Sequence, residues 1–275
     1  MSSTFLLYGA TGFVGSAVAR LAVRRGLHPI LAGRNGPRVE ALAAELSLEF
    51  RVFHLEDAMA VDRALRSVTV VLNCAGPFVH TSTPVVDGCL CTGAHYLDIS
   101  GEIPAYEALA ARDAEARDRG VMVLPGAGFD VVPTDCLASQ LKERLPSATH
   151  LRLAFYNQGP AGMPPGSVKT AVEMRTYGTR VRRDGRLELA TDGATSRMID
   201  FGDGPVEAHL LTWGDLFMGY YNTGIPNIEV YAVRPAELRV GSTASERTRT
   251  HAHVWGEVED NYGRKAMSRL HGPEA

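Results

Sequence analysis

The sequence predicts an α/β protein: an N-terminal doubly wound parallel sheet, then a second α/β domain with a mixed or largely antiparallel sheet. Three observations predict it. The chain opens with a strand, a glycine turn and a helix in immediate succession. Short apolar runs then alternate with helical stretches up to about residue 125, as crossover connections between parallel strands require. Beyond that point Gly- and Pro-rich turns separate strand-like segments.

Thr4–Tyr8 is the first strand, and Val14–Arg25 carries Val14, Val18, Leu21 and Ala22 on one helical face. Strands follow at Pro29–Ala32, Phe50–Phe53 and Thr69–Asn73, separated by helices at Pro37–Leu46 and Ala58–Leu65. The apolar run before Asn73 suits a central strand buried on both faces. Thr83–Cys91 reads as a helix and His95–Asp98 as a strand. Pro104–Arg119 is one helix, with Pro104 in its first turn and Gly120 as its stop, and Val121–Leu124 is the sixth strand. Domain one therefore covers residues 1–125 and domain two residues 126–275.

In the second domain, Val132–Leu145 and Ser167–Tyr177 read as helices and Leu151–Tyr156 as a strand. Arg180–Arg183 and Arg186–Ala190 flank Asp184-Gly185, a two-residue hairpin signal. Thr195–Phe201, Glu207–Thr212, Asn227–Val233 and Arg247–Glu259 complete the strands.

The chain has 275 residues, 45% of them hydrophobic and 21% charged, and 28 basic against 31 acidic residues leave a formal charge of -3. Nothing there advertises a nucleic-acid partner. Cys74, Cys89, Cys91 and Cys136 include no CxxC pair, which argues against a disulfide-built fold. The start, MSSTFLLYGATG, lacks the basic and apolar regions of a signal peptide, and no apolar run approaches the ~18 residues of a membrane span. A cytoplasmic location is the expectation.

The turn Gly9-Ala10-Thr11-Gly12-Phe13-Val14-Gly15 carries the first chemistry. Gly9 permits the tight turn, Gly12 lets the backbone approach a pyrophosphate, and Gly15 lets the helix pack closely on the sheet. The helix N-terminus, with Thr11, Phe13 and Val14 around it, faces the phosphate charge. This is the pattern of a Rossmann dinucleotide site. The second strand ends at Arg34 where an NAD-preferring site carries a carboxylate. A guanidinium takes a 2′-phosphate in bidentate fashion, so Arg34, with Arg38 as a helper, predicts NADP. Asn73, Ala75, Gly76 and Pro77 follow the fourth strand, where small residues let a ribose sit close to the backbone. Asp57 either touches the adenine edge or caps the helix after it.

At this point the chain resembles the saccharopine dehydrogenase-like oxidoreductases, in the branch that includes trans-acting enoyl reductases. The resemblance rests on GATGFVG at Gly9–Gly15, LAGR at Leu31–Arg34, NCAGPF at Asn73–Phe78, HYLDISGE at His95–Glu102, GAGFDVVPTD at Gly126–Asp135, YYNTGIPNIEVY at Tyr220–Tyr231 and WGEV at Trp255–Val258. It implies an NAD(P)-binding domain followed by an α/β domain that helps form the active-site cleft. It also implies a longer stretch than Val233–Gly241 before the last strands, and a continuation past residue 275.

Three functions stay open. One is NADPH-dependent hydride transfer to a hydrophobic or lipid-derived enoyl substrate. The second is a saccharopine-type amino-acid dehydrogenase, whose carboxylate-rich substrates need an array of basic residues that finds no residue-by-residue match here. The third is a non-catalytic NADP-binding scaffold or redox sensor. Candidate proton donors are Tyr220, Tyr221 and Ser100. Ser100 is also a cofactor contact, as are Gly126 and Gly128, while Asp130 and Asp135 divide between ligand contact and capping. No tyrosine stands four residues before a lysine, which excludes the short-chain dehydrogenase mechanism. His251 and His253 share a strand face but lack a third ligand, so no metal is expected. The expected partner is a small molecule, and a homo-oligomer joined through the second-domain sheet is compatible with the sequence.

Overall fold

The computed structural model describes residues 5–191, 195–234, 239–241 and 243–273. Thr4 of the predicted first strand and residues 235–238 of the short Val233–Gly241 segment lie outside the described residues. The chain divides into two compact units, residues 1–128 and 129–275.

In the first unit the elements run β1 (Phe5–Tyr8), α1 (Phe13–Arg24), β2 (Ile30–Gly33), α2 (Gly36–Leu46), β3 (Phe50–Val52), α3 (Ala58–Leu65) and β4 (Val70–Asn73). They continue with α4 (Phe78–Thr92), β5 (His95–Asp98), α5 (Ile103–Ala110), α6 (Asp113–Arg119) and β6 (Val123–Leu124). The six strands form one sheet in the order β3-β2-β1-β4-β5-β6, all neighbours parallel. This is the doubly wound Rossmann order, which reverses direction between β1 and β4. The central strands are buried on both faces, with Leu6, Leu7, Ile30, Leu31 and Val71 at the core.

Register decides where the chemistry can sit. Tyr8 pairs with Ala32 on one side and Asn73 on the other, and Asn73 pairs with Asp98. One row thus crosses the sheet at its carboxyl edge. The glycine turn, Gly33-Arg34, the turn after Asn73 and the segment from Ile99 all leave from that row.

Two expectations in this unit are corrected. Pro104–Arg119 is not one helix: α5 ends at Ala110 and α6 begins at Asp113, with Arg112 between them bonding Glu115 and Asp87. α4 begins at Phe78, five residues before the predicted start at Thr83. The Glu102 carboxylate accepts from the N–H groups of Phe78 (3.0 Å) and Val79 (2.8 Å), anchoring a first turn that has no local cap.

The second unit contains α7 (Val132–Arg144), β7 (His150–Gln158), α8 (Pro165–Met174) with a 3-10 turn at Arg175–Tyr177, β8 (Arg180–Arg183), β9 (Arg186–Leu189), β10 (Ser196–Asp200) and β11 (Pro205–Leu210). It ends with α9 (Asp215–Thr223), β12 (Asn227–Ala232), α10 (Ala244–Arg247), β13 (His251–Glu259) and β14 (Lys265–Pro273). Its sheet runs β10-β11-β12-β7-β13-β14, with β8 attached at β12 and β9 at β8. β12 and β7 are parallel and the other described pairs antiparallel, so the sheet is mixed. Asp184 and Gly185 both take positive φ (47° and 79°), as a two-residue hairpin turn demands.

α7 packs on this sheet through Leu137 and Leu141. A Cβ on Gly256 of β13 would come within 2.8 Å of the end of Leu141, so glycine there lets the α7 leucines lie close to the strand. On the opposite face Ile199, Phe201, Tyr231 and Trp255 form a smaller core. The sequence reading missed α9 and β14. β13 begins at His251, not at the predicted Arg247, because residues 244–247 form the short α10.

Candidate functional site

The glycine turn is built as its spacing requires. The Gly9 and Ala10 N–H groups both donate to the Ala32 carbonyl (2.9 and 3.1 Å), and Gly12 N–H donates to Gly9 O (2.9 Å). Gly9 sits at φ 77°. A Cβ on Gly15 would come within 2.2 Å of Gly9 O, so the helix can approach the turn only with glycine there. A Cβ on Gly12 would meet only Gly9 O, at 3.1 Å, which leaves its outer side open for a ligand. No side chain caps α1, and its first turn carries no acidic group. The dipole end of α1 is thus left to an anion, and these residues fit a bound pyrophosphate. Thr11, Phe13 and Val14 lie at the mouth of this turn, Phe13 and Val14 exposed.

Arg34 is exposed just beyond β2. Burial pushes the Tyr8 phenol up to about 12, and the Arg34 charge opposes that shift. Arg34 therefore acts over the end of β1. Arg38 donates to the Thr11 carbonyl (3.2 Å), which ties α2 to the glycine turn. Asp57 is a helix cap: its carboxylate accepts from Ala60 N–H (2.9 Å).

The row's two other ends are braced from below. The Asn73 amide donates to Thr81 (3.1 Å) and Tyr96 (3.3 Å) and accepts from Ala75 N–H (3.0 Å). Asn73 is wholly buried and holds the start of the Ala75-Gly76-Pro77 turn through the Ala75 N–H. Asp98, also wholly buried, accepts four bonds: from Ser100 N–H (2.9 Å), Ser100 Oγ (2.6 Å), Gly126 N–H (2.8 Å) and Tyr96 Oη (2.7 Å). Burial raises its pKa, and the bonds from Ser100, Gly126 and Tyr96 hold it back down. Tyr106 donates to the Ser100 carbonyl. Gly126 (φ 72°) and Gly128 lie against this network. A Cβ would meet Tyr106 Oη at 2.6 Å from Gly126 and Ile99 Cβ at 2.8 Å from Gly128.

Ser100, a candidate proton donor in the sequence, stands inside this network. Its hydroxyl is buried and donates to Asp98.

The second unit holds a small recess lined by Phe129, Asp130, Thr134, Phe155, Asn157, Trp213 and Val254. The Phe155 and Trp213 rings are tilted against each other at 6.0 Å, and Trp213 donates to the Asp130 carbonyl (2.9 Å). Among the described residues no lysine or arginine lines it. Behind Thr134 stands Asp215, wholly buried, hydrogen-bonded to the Thr134 hydroxyl through Oδ1. Its Oδ2 has no partner. Burial, with the charges of Asp135 and Asp130 adding to it, pushes the Asp215 carboxyl up to about 8, against the Thr134 bond. Asp135 instead accepts from Asn222 (2.6 Å).

Tyr220 and Tyr221 do not line the recess. They follow Asp215 by five and six residues, which on a helix turns them away from its face. The Tyr220 ring lies under the Arg182 guanidinium at 4.4 Å, and the exposed Tyr221 stacks on Phe217. His253 meets His271 of β14, Nδ1 to Nδ1 at 2.8 Å. Among the described residues no three His, Cys, Asp or Glu side chains are grouped to hold a metal ion. No helix among them is long and apolar enough to cross a membrane.

Residues 5–124 match the family model described as the saccharopine dehydrogenase NADP binding domain. That match lies within the first unit and makes the chain similar there to the saccharopine dehydrogenase-like oxidoreductases. Its first unit is an NAD(P)-binding domain. The chain is 26% identical over 191 residues to the human saccharopine dehydrogenase-like oxidoreductase, covering 61% of this chain and 44% of that protein. It is 32% identical over 139 residues to a Mycobacterium tuberculosis protein named "putative trans-acting enoyl reductase", covering 47% and 33%. The matched region thus spans less than half the length of these relatives. In fold the chain resembles saccharopine dehydrogenase (L-Glu forming) from Saccharomyces cerevisiae, with a TM-score of 0.67 at 13% identity over 98% of this chain and 85% of that one.

Glu102, Asp98 as a hub, Thr134 and Asp215 are the residues that sequence reasoning missed or left without this role. Glu102 acts 24 positions from the helix it anchors. Asp215 lies on a helix that sequence periodicity did not reveal.

Proposed function

We propose that the protein is an NADP-dependent oxidoreductase that transfers a hydride to an uncharged, hydrophobic enoyl substrate. The first unit binds the dinucleotide through Gly9, Thr11, Gly12, Phe13, Val14 and Gly15, with Arg34 taking the 2′-phosphate and Arg38 holding the turn. The backbone of Ala75, Gly76 and Pro77 borders the ribose, and Gly126 and Gly128 continue the same edge. When bound, the cofactor supplies the hydride. Asn73, Asp57, Ser100 and Asp98 shape the edge without being reactants. The second unit contributes the substrate-holding surface.

The observation that carries the choice of substrate is the lining of the recess: Phe129, Phe155, Trp213 and Val254 with Thr134 and Asn157, and no cation among the described residues. The recess is small, about 30 Å³, so it supports the reading through the chemistry of its lining, which is mostly apolar. A substrate with several carboxylates would meet Asp130 there and no guanidinium, which disfavours the amino-acid dehydrogenase reading. The name carried by the mycobacterial relative points the same way. The test is NADPH oxidation at 340 nm with a medium-chain 2-enoyl thioester against saccharopine-type amino acids. Turnover of the enoyl thioester alone is expected. Turnover of the amino acid, or of neither, would overturn the reading.

A further inference from the structure

The second unit carries a pair of histidines that the dinucleotide site does not use. His253 of β13 and His271 of β14 stand directly opposite each other in the antiparallel ladder. Their rings meet edge to face, with centroids 4.8 Å apart and the two Nδ1 atoms 2.8 Å apart. At that distance one nitrogen donates and the other accepts. A protonated imidazole carries hydrogen on both nitrogens, so the contact tolerates one added proton but not two. His253 is the donor in the neutral pair. Its Nε2 is sealed from solvent and has no partner. Buried N–H groups are rarely left without an acceptor, so the His253 proton sits on Nδ1. His271, which is exposed, accepts at Nδ1 and keeps its own proton on Nε2.

The pair stands where the far end of β14 meets a second element. A Cβ on Gly202, in the turn between β10 and β11, would lie 3.6 Å from His271 Cε1, so the His271 ring lies beside that turn. Arg269, two residues earlier on β14, pairs with Asp200 at the start of the same turn (2.9 Å). β10 and β14 are the two ends of the sheet's strand order, and among the described residues no backbone ladder joins them. Side chains carry that seam. Behind it the His253 ring stacks on Tyr156 of β7, and Tyr156 meets Phe201 of the smaller core, each at 5.8 Å.

The geometry points to a proton-sensitive latch: the His253–His271 pair holds the end of β14 beside the turn between β10 and β11, and releases it when both rings are protonated. One added proton leaves a charge-assisted N–H···N bond. A second sets two cations and two Nδ1 protons face to face, and the exposed His271 turns to water. Burial, then the charges of His271 and His251, hold His253 below the ordinary histidine range, while Asp203 of the turn opposes them. The folded chain therefore binds fewer protons here than the unfolded chain. The latch contributes fully above about pH 6.5 and is lost as pH falls. Asp200 is held low by the Gly202 and Gly204 N–H groups and keeps Arg269, so release is confined to the strand beyond Arg269.

Nuclear magnetic resonance on the full chain tests the latch in two ways. Histidine ring 15N shifts at pH 7.5 should show His253 as the Nδ1–H tautomer. Exchange protection of the residue 270–272 amides, corrected for intrinsic rates, should fall about tenfold from pH 7.5 to pH 5 while that of β12 holds. His271→Gln keeps an uncharged acceptor opposite His253, and its protection should hold down to pH 5. His251→Gln leaves the pair in place and should still show the fall. An Nε2–H tautomer at His253 or protection in wild type that ignores pH would overturn the latch. So would protection in His271→Gln that falls as in wild type, or that is already lost at pH 7.5.

Discussion

Asp98 in the first unit and Asp215 in the second are both wholly buried aspartates, yet they are held in opposite ways. Asp98 lies where four donors converge on one carboxylate. Asp215 has one hydroxyl beside it, an empty-handed Oδ2 and two acidic neighbours. Burial raises both; at Asp98 the bonds from Ser100, Gly126 and Tyr96 work against the rise, and at Asp215 only the Thr134 hydroxyl and its own backbone do. The difference teaches that burial alone does not say what a carboxyl group is for. Its donors say more: Asp98 is tied to the backbone of Ser100 and Gly126, while Asp215 keeps one oxygen without a partner.

The comparison can be broken first at its strongest side. Asp98→Ala strands the Ser100 and Gly126 N–H groups and two hydroxyls inside the protein. We expect a loss of roughly 3–5 kcal/mol in urea unfolding of the N-terminal transition. Asp215→Ala removes far fewer bonds and should cost about 1 kcal/mol or less at pH 7. Equal losses would erase the distinction.

A second effect concerns the glycine turn that the Asp98 network borders. Gly15→Ala forces a Cβ onto Gly9 O and should weaken NADPH binding at least tenfold in calorimetry while the second unit's thermal transition stays in place. A variant that binds normally would show that the turn relaxes and that its packing does not shape the phosphate site.

A further effect sharpens the other side. The folded pKa of Asp215, about 8, lies above its unfolded value near 3.8. The folded state therefore binds more protons between those values, and this group's contribution falls as pH rises from about 4 to about 8. Asp215→Asn should flatten that decline, so its melting temperature gains on wild type as pH increases. A constant difference across pH 5–8 would mean that Asp215 is ionised throughout.

The first unit was legible because its elements follow local rules. Glycine spacing marked the turn, and Ala58–Leu65 and His95–Asp98 read at their true bounds. The cap was one of the two readings open for Asp57, because a cap acts three residues away. What failed depends on distance. The early start of α4 hangs on Glu102, far along the chain. Nothing local in Arg112 announced that it would break a helix by pairing with Asp87. In the second unit α9 escaped because Gly219 and a Tyr-Tyr pair blur a helical pattern. β14 escaped because an edge strand with exposed Met267 and Leu270 shows no clean alternation. Missing α9 hid Asp215, so attention fell on Tyr220 and Tyr221 of the same helix. Side chains that converge from α7 and α9 cannot be seen in a single chain read in order.

The central claim is that the carboxyl edge of the first unit binds NADP through Arg34. Calorimetric titration of the full chain with NADPH and NADH, repeated on Arg34→Ala, tests it most directly. The account predicts tight NADPH binding that weakens about ten- to a hundredfold in the variant, with NADH affinity unchanged. Equal loss for both nucleotides, or no preference for NADPH in the wild type, would contradict it.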